Sequence, residues 1–588
     1  MMDLRLGEIA AACGGKLVLR GGTASDTCVS SVVIDSRQVT EGGVFLAVIG
    51  ERVDGHKFIS SVFGKGAVLA VTMKTPEQAE ADTGVPSGSW GSYLLVEDTL
   101  QALKEIAEYY RRKLSIPVVG ITGSVGKTST KEFIAGVLAE KYHVLKTEGN
   151  YNNEIGVPLT LLKIRGEHTA AVVEMGISDF GEMHRLSKMA RPNICVITNI
   201  GQSHLENLKT RDGILKAKSE IFDYMAEDGQ VCLNGEDDKL RALTEVKGRK
   251  AHFFGWGNYS PEEVTAGDVV SRGLWGSDAV LTIRQPGKEE ASPAPAAAEI
   301  SAASEAAAAE NVAVSGAESA FIPEDGSVRI AVHVPLPGRH MVLNGAAAAC
   351  VAGLLGLSPE QIASGIGKIK PVGGRNNLIP LEEYTLIDDC YNANPASMKA
   401  ALDLLSMADT EKVAILGDMF ELGENSRKLH EEIGAYAAAA GIHRIYCVGK
   451  EAEYIYQAAC GEISPVKNSD EGKGMKPSGQ NSGGGSGMKP YVETSEEGSG
   501  MKPYVETSEG GSRIKPFVET SEGEKGRITF GQNSYGGRLL YFPAKEELFH
   551  ALEEDPAYYI PKGSTVLIKA SHGMEFSQIV DFLKKPHK

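Results

Sequence analysis

The sequence contains no uninterrupted apolar stretch approaching the roughly 18 residues that a membrane-spanning helix requires, and Asp3, Arg5 and Glu8 stand where a signal peptide needs an apolar core. It also lacks a positive charge balance. The net charge of −17 argues against a general polyanion binder and excludes nucleic acid as an expected partner, although an acidic surface can still hold one basic cleft. Its eight cysteines, at 13, 28, 195, 232, 350, 390, 447 and 460, include no Cys-x-x-Cys pair. Scattered in this way, they read as reduced buried thiols rather than a disulfide or zinc framework. A cytoplasmic chain without membrane insertion is expected.

At 588 residues, three or four domains are expected. A small mixed α/β domain is assigned to residues 1–85. Strand-helix alternation from Ile116, with apolar strand candidates at Ala170–Val173, Ile194–Ile197 and Val231–Leu233, predicts a parallel sheet covered on both faces. Helix-period stretches run from Glu182 to Met189 and from Ile214 to Met225. This central domain is assigned to residues 86–370. A third, doubly wound α/β domain is assigned to 371–588, with strands at Leu386–Ile387, Val413–Leu416, Ile445–Val448 and Val566–Ile568.

Two segments break the pattern. Residues 286–320 are rich in Ala, Glu, Ser and Pro and carry too little large apolar surface to offset ordering entropy. Within a second insert at about 463–527, a 13-residue repeat runs from Gly474 to Gly523, with Met-Lys-Pro-Tyr-Val-Glu-Thr-Ser-Glu at Met488 and again at Met501. Its composition favours an expanded disordered loop. The regular spacing of Tyr491, Tyr504 and Phe517 leaves binding of a protein partner open.

The strongest chemical signal is Gly120-Ile-Thr-Gly-Ser-Val-Gly-Lys-Thr128, between the apolar Ile116–Val119 and a helix-period run containing Phe133, Ile134, Val137 and Leu138. The glycines let backbone N–H groups close on phosphate oxygens, and the helix N-terminus adds positive potential. Lys127 can reach the terminal phosphates, and the Thr128 hydroxyl can bind Mg²⁺. Gly120 lies six residues before Gly126, so the strict phosphate-loop spacing is missed by one and a variant loop is expected. By itself the loop supports only ATP or GTP binding.

Three other polar residues follow predicted strands or lie on a nearby helix. Glu174 stands at the tip of Ala170–Val173, His204 lies in Thr198-Asn-Ile-Gly-Gln-Ser-His204-Leu-Glu206, and Lys218 lies in Lys216-Ala-Lys-Ser-Glu220. Taken singly, they read as a helix-capping acid, a hydrogen-bonded loop histidine and a solvated helix charge.

Together with the loop, these segments resemble the Mur ligase superfamily of ATP-dependent amide-forming enzymes over most of the chain outside the two inserts. The resemblance implies that Thr122, Gly123, Ser124, Val125, Gly126, Lys127 and Thr128 form the ATP loop. It implies that Thr128, Glu174, His204 and Lys218 contribute to Mg²⁺ binding, with Lys218 carbamylated as is common in the family. Asn150 and Asn153, before Ile155-Gly-Val-Pro158, match a segment that contacts phosphates and substrate. Asn344, after Gly338-Arg-His340, matches the adenine-site asparagine, although Met341 replaces the family's usual asparagine after the histidine. Gly374-Arg375 matches the arginine that reaches ATP across a domain boundary. In Asp388-Asp-Cys-Tyr-Asn-Ala-Asn-Pro395, Asp389 is assigned to the ribose ahead of Asp388, and Asn392 and Asn394 to substrate. The same polar run also predicts a helix cap near Asn394.

Asp35-Ser36-Arg37 with Phe45, Ala47, Gly50 and Asp54-Gly-His56 resembles the pattern that holds a UDP-sugar, which assigns Ser36 and Arg37 to substrate. Gly417-Asp-Met-Phe-Glu-Leu-Gly423, followed by His430, resembles the signature of the family member that adds D-Ala-D-Ala, and the Asp-Asn-Pro-Arg run of the diaminopimelate- or lysine-adding member is absent. The implied activity joins D-Ala-D-Ala to UDP-MurNAc-tripeptide through an acyl phosphate, for peptidoglycan synthesis. The catalytic residues would be Lys127, Lys218, His204 and Arg375. Ligand-driven domain closure and a monomeric enzyme are expected. The alternatives are a relative that adds another amino acid, including a folylpolyglutamate synthetase, and a noncatalytic ATP-binding scaffold. One departure stands out: the family's Lys-Gly-Ser-Arg near the C-terminus is Lys569-Ala-Ser-His572 here.

Overall fold

The computed structural model describes residues 2–50, 53–258, 262–284, 320–321, 327–371, 373–461, 505–506, 513–514, 529–532 and 537–585. It divides into two compact units, Met1–Val372 with Glu421–Gly423, and Gly373–Phe420 with Glu424–Lys588. Nearly all of the insert at 286–320, and of the repeat with Tyr491, Tyr504 and Phe517, lies outside the described residues. Within the repeat, Val505–Glu506 and Arg513–Ile514 pair antiparallel.

The first unit opens with a five-stranded sheet in the order Lys16–Val18, Tyr93–Leu95, Leu69–Thr72, Val44–Leu46, Val32–Val33. Its strand at Tyr93–Leu95 lies C-terminal to residue 85. The next helix, Thr99–Lys113, starts where the Asp98 carboxylate accepts the N–H groups of Leu100 and Gln101. Ala102, Leu103, Ile106, Ala107 and Tyr110 recur at helical spacing and are all buried in one apolar cluster with residues of both this sheet and the next.

The second sheet of this unit has ten strands, with Val118–Thr122 between Ile194–Ile197 and Ala170–Glu174. Strand alternation sorts its two faces. Val172, Ile194 and Val196 pack in one cluster with Phe133 and Ile134 of the Lys127–Leu138 helix, whereas Ala171, Val173, Cys195 and Ile197 pack in the other with Leu186 and Ile214. From Val144–Lys146 through the Glu262–Ser271 strand the sheet is parallel, as expected. Beyond it, Ser277–Ile283, Val328–Val334 and Ala320–Phe321 extend the sheet antiparallel. Between Ser271 and Ser277 the chain reverses through a short turn, so no crossover helix is needed there. The helix predicted from Ile214 to Met225 begins earlier, at Arg211, and ends at Ser219 in a tighter 3₁₀ turn, Glu220–Phe222.

The second unit is built on a seven-stranded sheet, with a parallel core in the order Thr385–Asp388, Thr565–Lys569, Lys412–Gly417, Arg444–Val448, Arg538–Phe542. Antiparallel strands close both edges. The strand nearest the C-terminus lies in the middle of the sheet, so loops 388–394 and 570–574 become neighbours.

Candidate active site

In the first unit, the Val118–Thr122 strand runs directly into a loop that opens the Lys127–Leu138 helix. Gly126 has φ 83°, a left-handed conformation that disfavours any side chain. At Gly123, with φ 153°, an added Cβ would lie 1.9 Å from the Thr198 hydroxyl oxygen. The loop is thus pressed against the end of the neighbouring Ile194–Ile197 strand. Lys127 Nζ donates to the carbonyls of Gly123 at 2.7 Å and Ser124 at 3.4 Å, folding its cation back over the loop.

Behind the loop, the Thr128 hydroxyl donates to Glu174 Oε2 at 2.8 Å. Both residues are buried, with relative exposures of 3% and 1%. Asn152 Nδ2 donates to Glu174 Oε1 at 2.8 Å, and Glu174 N donates to Thr147 Oγ1 at 3.0 Å. Lys131 Nζ lies 3.7 Å from Glu174 Oε2 and donates to the Thr147 carbonyl at 2.7 Å. The carboxylate therefore faces the Thr128 hydroxyl from the C-terminal edge of a parallel sheet, where open α/β folds place their ligands.

Lys218 is not the solvated helix charge that it resembles in isolation. It is buried, because Ile214, Ala217 and Lys218 share the inward face of the Arg211–Ser219 helix. Burial, reinforced by the Lys127 ammonium, holds its amine well below the usual lysine range. His204 takes a left-handed φ of 58° and caps the short Leu205–Leu208 helix. Among the described residues, no hydrogen bond joins His204 or Lys218 to the Thr128–Glu174 pair, and no group of three His, Cys, Asp or Glu side chains is arranged to hold a metal. Asn344 Oδ1 accepts the Thr130 hydroxyl at 2.9 Å, tying the Arg339–Leu354 helix to the helix after the loop.

Of the asparagines singled out before Ile155, Asn150 is exposed, and Asn153 Oδ1 accepts the Gly156 N–H at 2.9 Å. The residue between them, Asn152, reaches Glu174. Sequence supplied the run; the turn selected the residue. In the opening sheet, Arg37 forms an exposed fork with Asp35, its Nη2 2.7 Å from Oδ2, and its hydrogen bonds bring the Asp35 carboxyl down to about 2. The Ser36 carbonyl accepts Lys65 Nζ at 2.8 Å.

In the second unit, Asp389 Oδ2 accepts Lys569 Nζ at 2.6 Å and Asp389 Oδ1 accepts the Asn376 N–H at 3.1 Å. Lys569 also donates to the Asn392 carbonyl at 3.0 Å. The Arg375 guanidinium lies 4.0 Å from the centre of the Tyr391 ring, which in turn sits 5.5 Å from the His572 ring. Asn394 Oδ1 accepts the Ser397 N–H at 2.9 Å and caps the Pro395–Ser406 helix, as its position before proline predicts. The turn after Lys412–Gly417 is held from behind: His430 Nε2 accepts the Met419 N–H at 2.9 Å, while burial lowers the imidazole pKa. Lys569 and Tyr391 stand inside motifs that the sequence marked, but their partners lie on strands or loops distant in the chain.

Comparisons with known proteins identify the family. The Mur ligase middle domain matches residues 121–292, the Mur ligase glutamate ligase domain 374–472, and the Mur ligase family catalytic domain 29–111. The UDP-N-acetylmuramoyl-tripeptide--D-alanyl-D-alanine ligase of Bacillus subtilis (strain 168) is 33% identical over 437 residues, covering 74% of this chain and 83% of the relative. The ligase of the same name from Escherichia coli (strain K12) is 32% identical, covering 78% and 89%. A crystal structure of MurF from Acinetobacter baumannii superposes with a TM-score of 0.70 at 25% identity, covering 99% of each chain. With its phosphate loop, the buried Thr128–Glu174 pair and relatives matching along most of its length, the chain belongs to the Mur ligase family.

Proposed function

We propose that the chain joins D-Ala-D-Ala to UDP-MurNAc-tripeptide with consumption of ATP, giving UDP-MurNAc-pentapeptide for peptidoglycan synthesis. The observation that carries the chemical part is the Thr128–Glu174 pair directly behind the Gly126-Lys127 loop. The amine and sugar specificity rests on the likeness to the D-alanyl-D-alanine ligases.

A carboxylate does not react with an amine because its oxygen is a poor leaving group. The tripeptide carboxylate oxygen attacks the γ-phosphorus of ATP, the bond to the β–γ bridging oxygen breaks, and ADP leaves an acyl phosphate. The dipeptide amine then attacks the acyl carbon, phosphate departs with the C–O bonding electrons, and the amine loses a proton. Residues 122–128 cradle the ATP phosphates. Lys127 leaves the Gly123 carbonyl to meet the γ-phosphoryl oxygens, whose charge is spread out in transfer. The arrangement of donors fits Mg²⁺, which takes hard oxygen ligands and commonly binds one or two carboxylates together with substrate phosphates. Thr128 and Glu174 would hold it, and His204 and a carbamylated Lys218 complete the set in our reading. When bound, Mg²⁺ neutralises phosphate charge.

Asn344 is assigned to adenine, Asp389 to ribose and Arg375 to the transferring phosphoryl group. Asn150, Asn153, Asn392 and Asn394 are assigned to substrate, with Ser36 and Arg37 at the UDP-sugar end. Asn153 and Asn394 already use a side-chain oxygen in local caps, so their Nδ2 donors are the groups left for substrate. We read the enzyme as a cytoplasmic monomer of three domains, with boundaries near 85 and 370. The test is ADP release from the purified chain with UDP-MurNAc-tripeptide, comparing D-Ala-D-Ala with single amino acids. Dipeptide-dependent turnover is expected, and turnover with a single amino acid would reassign the amine.

A further inference from the structure

One side chain at the phosphate loop has no assigned role. Asn199 follows the Ile194–Ile197 strand, the parallel neighbour of Val118–Thr122, and its amide meets the middle of the loop at two points. Its Oδ1 accepts the Val125 N–H at 2.9 Å, and its Nδ2 donates to the Val125 carbonyl at 2.9 Å. The Asn199 backbone carbonyl accepts the Ser124 N–H at 3.1 Å. Thr198 Oγ1 adds a second donor to the Val125 carbonyl at 2.6 Å, and the Gly201 N–H reaches Ser124 Oγ at 2.9 Å. A primary amide presents a donor and an acceptor on one edge, as a strand backbone does. Asn199 therefore pairs with Val125 as another strand would, and occupies both of that residue's backbone groups.

We infer that Asn199 is a positioning residue for phosphoryl transfer, and this rests on the ATP-loop reading above. By turning the Ser124 and Val125 N–H groups toward the Asn199 segment, it fixes the loop in the curvature from which the start of the Lys127–Leu138 helix meets phosphate oxygens. The first N–H groups of a helix have no intrahelical acceptor, so these are the natural anion donors. Gly201 and Ser203 lie in the same segment as His204, and Ser203 Oγ donates to the Ser124 carbonyl at 3.4 Å. Asn199 consequently joins the phosphate loop to the His204 loop, and its loss misplaces both with respect to the nucleotide.

Two variants of the full chain separate positioning from packing. Asn199→Ala removes both hydrogen bonds. Asn199→Asp keeps the shape and the acceptor for the Val125 N–H, but sets a carboxylate against the Val125 carbonyl. With both hydrogen bonds lost, the KM for ATP should rise by about tenfold or more in Asn199→Ala. It should rise at least as far in Asn199→Asp, and the KM values for UDP-MurNAc-tripeptide and D-Ala-D-Ala should stay within about twofold. Calorimetric titration with a non-hydrolysable ATP analogue and Mg²⁺ should show the same order of loss, whether or not ligation of this substrate pair occurs. An ATP analogue that binds wild type without ligation would reject the amine or sugar assignment and leave the clamp standing. Wild-type ATP affinity in Asn199→Asp, or an equal rise of all three KM values, would overturn it.

Discussion

The Thr128 hydroxyl and Glu174 Oε2 are 2.8 Å apart, although 46 residues separate them in the chain. The first residues of the loop helix and the last residue of the adjacent strand are brought together because their strands are parallel neighbours, with Ile121 opposite Glu174. Glu174→Gln keeps the shape and an acceptor for the Thr128 hydroxyl, but it removes the charge and sets its amide nitrogen against Asn152 Nδ2, so kcat/KM should fall by about 100-fold or more. Thr128→Ser should keep most activity, and Thr128→Val should lose it to a similar extent as Glu174→Gln. Steady-state ADP release against Mg²⁺ concentration checks this. Full activity in Glu174→Gln would remove the carboxylate from the metal set.

Lys218 is buried beside another lysine, and both effects hold its amine below the usual range. That shift favours the neutral form of the amine, the form that is nucleophilic toward dissolved CO₂. Adding ¹³C-bicarbonate should give a carbamate carbon resonance in the wild-type protein that is missing from Lys218→Arg, and CO₂-free buffer should lower turnover until bicarbonate is returned. An identical spectrum from the variant would count against the modification.

Glu262 is buried at the start of its strand, with Oε1 unpartnered among the described residues and Oε2 accepting the Gly257 N–H at 2.6 Å. Burial pushes its carboxyl up to about 7; the Gly257 N–H and Arg241 oppose this, and Glu236 adds to it. Between the ordinary value of 4.5 and about 7 the folded state binds more protons than the unfolded chain, so stability is lost as pH rises through that window. Glu262→Gln removes a penalty of roughly 3 kcal/mol above that window. The variant should melt higher than wild type at pH 8 and close to it at pH 5. An equal shift at both values would rule out the titration.

Arg375 lies over Tyr391, and His572 packs against the same ring. A guanidinium over an aromatic face contributes about 1–2 kcal/mol when partly desolvated. Tyr391→Ala should therefore lower kcat by about tenfold, while Tyr391→Phe should stay within about twofold because the ring face remains. Equal effects from the two variants would show that the phenol hydroxyl, not the stack, matters.

The loop from Thr122 to Thr128 was legible because its information is local: strand, glycines and helix start follow one another in the chain, and each residue type has a backbone reason for its place. The Asn394 cap and the outlines of the parallel strands were legible for the same reason. Residue type also marked Lys218, but only the packing of its helix decides that the amine is buried rather than solvated.

Sequence by itself determined the family, the phosphate loop and the alternation that builds the sheets. Tertiary structure alone decided which of three nearby asparagines meets Glu174, that Asn199 clamps Val125 from 74 residues away, and that Lys569 meets Asp389 across 180 residues. The physical reason is the same in each case. Periodicity along a chain fixes which face of a strand or helix is apolar, whereas the partner of a polar group at a strand end depends on which strand lies beside it. In parallel sheets that neighbour comes from a remote part of the chain.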